Sequence, residues 1–215
     1  VGGNSTSVGG DVVLQSGAGL LKGGDVTIKS AGSASGDIVV NTGPTTTSGS
    51  GSLQLLTGDS TGASAGAMNF QAGSSAKGPG ASVFLEAGAT TDSDEETGGE
   101  MSGGSVDVSG GRSNLGPGGL VSVVSGASAQ AVSGSLKLAS AAAAFGSGST
   151  SLSSGDSELG RSGPLVLGSG SSELGAGEVL VVGGDSASDQ GGSVSLRGGK
   201  SAAASAGAVY LSGGT

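Results

Sequence analysis

The densest chemistry in this sequence lies at Asp92, Asp94, Glu95 and Glu96, four carboxylates within five positions. Carboxylate oxygens are hard ligands, and such a cluster could hold Ca²⁺. The spacing does not follow the EF-hand, and no Gly-Gly-x-Gly-x-Asp nonapeptide recurs around it. The preferred reading is therefore a solvated acidic loop. A second set, Asp11, Asp25 and Asp37, occupies one position in three successive copies of a repeat. These could share a cation, but charges at a sheet edge that block wrong pairing are the favoured expectation. No other cofactor is expected. Asn4-Ser5-Thr6 forms an N-glycosylation sequon, usable in a secreted eukaryotic protein.

Catalysis finds little to work with. The chain has no His and no Cys, which removes the usual bases and the thiol nucleophile. One Tyr and three Phe cannot line a polysaccharide-cleaving groove, so no enzyme activity is expected. Many Gly-x-Gly matches occur, but no dinucleotide-binding unit surrounds them. A formal net charge of −9 argues against nucleic acid and anionic lipid as partners. Apolar runs are only a few residues long, too short to insert across a bilayer. The absence of Cys fits an extracellular or cell-surface setting that needs no disulfides.

What positions these groups is a repeat. Gly192-Ser193-Val194-Ser195-Leu196-Arg197-Gly198-Gly199 states its phrase: two apolar residues alternating with polar ones between glycines. The first apolar positions run Val12, Val26, Ile38, Leu53, Met68 and Val83, then, after a longer interval, Val106. They continue through Val121, Leu136, Thr150, Leu165, Val179, Val194 and Val209, fourteen copies in all. Two residues after each stands a second apolar residue, as in Leu14, Ile28, Val108, Leu196 and Leu211. Glycine supplies 49 of 215 residues, but a flexible Gly/Ser linker has no period, and this chain does.

One strand phrase every fifteen residues or so predicts an all-β fold. The expectation is a single domain over 1–215, a parallel β-solenoid (β-helix) of about 14 coils of about 15 residues. Val12, Leu14, Val26, Ile28, Val106, Val108, Val194, Leu196, Val209 and Leu211 would belong to two inward ladders. The Gly-x-Ser that follows the strand in several copies, as in Gly155-Asp156-Ser157 and Gly184-Asp185-Ser186, would begin a second wall of small side chains. The acidic stretch at about 89–102 would project as a loop.

Two aliphatics per coil make a thin core, and an isolated coil could not stand on it. Both chain ends fall mid-coil without a capping element. The chain is thus expected to be a segment of a longer rod, pairing with itself end to end and, through outward Val166, Leu180 and Tyr210, laterally. Thr45-Thr46-Thr47 suggests ice binding, but the triplet occurs once, and the outward position carries no threonine array.

The phrases Gly23–Ser30, Gly36–Gly43 and Gly191–Gly199 resemble the long Gly/Ser-rich repeat proteins of stramenopile algae and oomycetes. That resemblance implies an extracellular structural protein of cell-surface fibres or flagellar hairs (mastigonemes). The leading expectation is accordingly a filament-forming structural protein, ahead of an ice-binding protein and a surface adhesin.

Overall fold

The fifteen-residue period is realised as an alternation of arms and loops. The computed structural model describes residues 9–32, 35–46, 49–90 and 102–214. Each arm carries the Val-x-Leu phrase and is free of turns. Each loop is built on the glycines and serines that separate the phrases. The chain divides into two units, Val1–Val108 and Ser109–Thr215, and the same repeat runs through both.

Several loops are closed at the neck by one backbone hydrogen bond. The donor is the N–H two residues before an apolar marker, and the acceptor is the carbonyl five residues after the previous marker. Gly24 donates to Gly17 (2.8 Å), Gly119 to Gly111 (2.8 Å), Gly134 to Gly126 (2.9 Å), Gly192 to Gly184 (2.8 Å) and Gly207 to Gly199 (2.9 Å). Ala81 donates to Gly73 at 3.2 Å in the same register. Glycine at the neck is a matter of close approach: a Cβ on Gly183 would overlap the carbonyl oxygen of Gly192, and one on Gly198 that of Gly207.

Inside the loop, a serine seven residues after the marker makes the turn. Its Oγ accepts from the backbone N–H three residues on. Ser113 holds Gly116 (2.9 Å), Ser128 holds Ala131 (3.0 Å), Ser157 holds Gly160 (3.0 Å) and Ser201 holds Ala204 (2.9 Å). Ser60, Ser75, Ser172 and Ser186 do the same. This is the local side-chain-to-backbone bonding by which Ser favours turns over ladders. At Ala143 the hydroxyl is missing, and that loop instead contains Gly146 at φ +154°.

The β-solenoid expectation is overturned. Among the described residues there is no β-strand and no helix. The physical reason lies in two places. Where neighbouring arms are hydrogen-bonded, a single neck bond joins them, whereas a sheet needs a continuing ladder. The Gly-x-Ser segments, expected to form a second wall, curl into serine turns, so nothing closes over the aliphatic rows. No described residue is buried. Val12, Leu14, Val26, Ile28, Val106, Val108, Val194, Leu196, Val209 and Leu211 all lie exposed. The descriptions β-solenoid and β-helix therefore do not apply to this structure.

Candidate interaction surface

The chemistry-bearing residues come first. Asp92, Asp94, Glu95 and Glu96, and also Asn4, lie outside the described residues. What is described is the neck from which the acidic insertion leaves. Gly104 donates to the Gly88 carbonyl at 2.9 Å, and the Thr90 hydroxyl donates to the Ser102 carbonyl at 3.0 Å. The insertion thus departs from the same neck position that closes ordinary loops. Among the described residues, no three acidic side chains gather into a metal-holding group, and Asp11, Asp25 and Asp37 are not brought together. Asp25 lies 3.4 Å from Lys22 across an exposed ion pair, a contact of little energetic weight.

The feature with physical consequence is the apolar surface. First-row residues are 43–66% exposed, from Met68 to Val83, and second-row residues 59–86%, from Leu55 to Leu211. In every repeat where both are apolar, the first is the more sheltered of the two, as with Val194 against Leu196 and Val209 against Leu211. The period therefore singles out residues with a common environment, but the environment is a half-covered surface. The outward residues Val166, Leu180 and Tyr210 are each more open than the second-row residue beside them.

Two further features were not singled out from the sequence. The first is a row of loop tips. The phrase Ser-x-Leu-Gly occurs at 113–116, 157–160 and 172–175, and the serine turn leaves its leucine at the apex. Leu115, Leu159 and Leu174, with Phe145 at the matching place in the Ala143 loop, are fully exposed at 102–107%. The signal was present as Leu-Gly or Phe-Gly at a constant offset from the marker, off the period-two phrase. The second is a shallow apolar recess of about 380 Å³ lined by Phe70, Val83, Phe84 and Leu85. It draws on two successive arms and holds two of the three phenylalanines of the chain.

An arrangement of this kind can bury apolar surface against a partner. Among the described residues, no helix is long and apolar enough to cross a membrane. Comparison with known protein families, with curated proteins and with solved structures gives no match to this chain.

Proposed function

We propose that this chain is a structural protein that works by associating with further copies of itself, in an extracellular or cell-surface setting. One observation carries the reading: apolar residues recur on a fixed register in every repeat, and not one described residue is buried. Water drives such surface toward apolar cover. Contiguous exposed apolar patches mark interaction sites in soluble proteins. Here the pattern repeats along the chain, which suits an extended contact between like molecules better than a pocket for a small ligand. The extracellular setting is supported by the resemblance to Gly/Ser-rich fibre proteins.

Electron microscopy of the purified chain tests this reading. Elongated assemblies are expected in the wild type. Val179→Asp/Val194→Asp, two charges in the most sheltered row, should shorten or abolish them. Dispersed single particles at the highest soluble concentration would overturn the proposal.

A further inference from the structure

We propose that the arm Asp25–Lys29 of one copy pairs with Asp25–Lys29 of a second copy as two antiparallel strands. This rests on the self-association reading above and names its contact. The arm contains no turn, and each of its residues is exposed. Each carries a backbone N–H and C=O that require a partner or water. Among the described residues none of these groups is paired, and the nearest backbone bond, Gly24 to Gly17, closes the neck before the arm begins. Val26 and Ile28 are 56% and 67% exposed. An unpaired edge that carries an alternating apolar row is a template for a further strand.

Charge selects a second copy and sets its direction. Asp25-Val26-Thr27-Ile28-Lys29 is the one phrase of the fourteen with opposite charges at its two ends. Laid antiparallel on itself, it sets Asp25 opposite Lys29 twice, Val26 opposite Ile28 twice and Thr27 opposite Thr27. Opposite charges and Thr–Thr pairs stabilise facing positions, and like charges destabilise them. Parallel pairing in register would face Asp25 with Asp25 and Lys29 with Lys29. Two different phrases laid antiparallel match at most one pair of end charges. Lys22 lies 3.4 Å from Asp25, but that contact is exposed, and a carboxylate accepts from more than one donor. The next charges along the chain are Asp11 and Asp37, and they are not gathered with Asp25. The backbone ladder and the Val26–Ile28 contacts supply the cover, while the ion pairs fix the register. A strand has two edges, and the same pairing is open to both, so the contact continues from copy to copy without closing.

Charge reversal in the full chain, read by light scattering, tests the pairing. Asp25→Lys and Lys29→Asp each place like charges opposite one another at both ends of the pair. Each alone should need a concentration on the order of tenfold higher to reach the wild-type mass. For Asp25→Lys this loss runs against the smaller net charge of the variant. Mixed in equal amounts, the two variants should recover wild-type association. Asp25→Lys/Lys29→Asp, which restores both ion pairs, should recover it alone. Single reversals that associate like the wild type, or a mixture no better than its components, refute the pairing and leave self-association standing. A wild-type chain that stays monomeric refutes both. Direction is read with introduced thiols, because the chain has no cysteine. Val26→Cys and Ile28→Cys chains, mixed and oxidised with copper phenanthroline, should give heterodimers in excess over either homodimer. An excess of homodimers, or a statistical mixture, overturns the antiparallel contact.

Discussion

Ser157 and Ala143 occupy the same point of the repeat and build different loops. The Ser157 hydroxyl accepts from the Gly160 N–H at 3.0 Å, whereas Ala143 offers no acceptor and its loop contains Gly146 at positive φ. A single exposed hydrogen bond contributes about 0.5–1.5 kcal/mol. Ser157→Ala should therefore speed amide exchange at Gly160, by up to about tenfold on that energy scale, and leave Gly175 and its Ser172 turn unchanged. Equal exchange at Gly160 in both proteins would remove the hydroxyl from the account. Gly146→Ala should be costly despite open space around it, because φ +154° is a conformation L-residues rarely adopt. A strain on the order of 1–3 kcal/mol is expected, visible as altered chemical shifts across 143–148.

At the scale of the loop, the neck glycines make a sharper prediction because adjacent glycines differ. A Cβ on Gly184 would meet open space, whereas one on Gly183 would overlap backbone of Gly192. Gly184→Ala should leave the Gly192 amide protected by its 2.8 Å bond, and Gly183→Ala should open the neck. Amide temperature coefficients at Gly192 distinguish the two, and equal effects would contradict the close-approach argument. This contrast also shows where sequence reading reached its limit. The glycine pairs and the fifteen-residue period were legible, because spacing alone carries them. The role of the serines was not. A small polar side chain fits an inward wall as well as it fits a turn, and only the bond from Ser Oγ to the N–H three residues on decides between them. Nor does a strand phrase say whether neighbouring phrases will pair. Val194 and Leu196 were marked by their alternation, but alternation is silent on what covers them. The tips Leu159 and Leu174 were missed because they stand outside that alternation.

For the whole molecule, the exposure of every described large apolar side chain governs behaviour in solution. Unfolding of an ordinary domain raises the heat capacity by about 12–15 cal/mol/K per residue through newly exposed apolar surface. A dilute chain whose apolar rows are already exposed should show a change far below that, with no sharp transition in calorimetry. A cooperative transition should emerge only as concentration rises, since stability then depends on assembly. Each copy carries a formal net charge of −9, so association works against like-charge repulsion. Raising the salt from about 0.01 M to about 1 M shortens the screening length from about 30 Å to about 3 Å and should promote assembly. Dissociation by salt would indicate that ion pairs, and not apolar rows, hold the copies together.

The central claim is that the repeating apolar surface is left open in the single chain and covered by further copies. Sedimentation equilibrium over a wide concentration range tests it most directly. The account predicts a weight-average mass that starts near the 19.5 kDa of one chain and climbs steadily with concentration, without a plateau at a small closed oligomer. A mass that stays at 19.5 kDa throughout, in high salt as well as low, would contradict it.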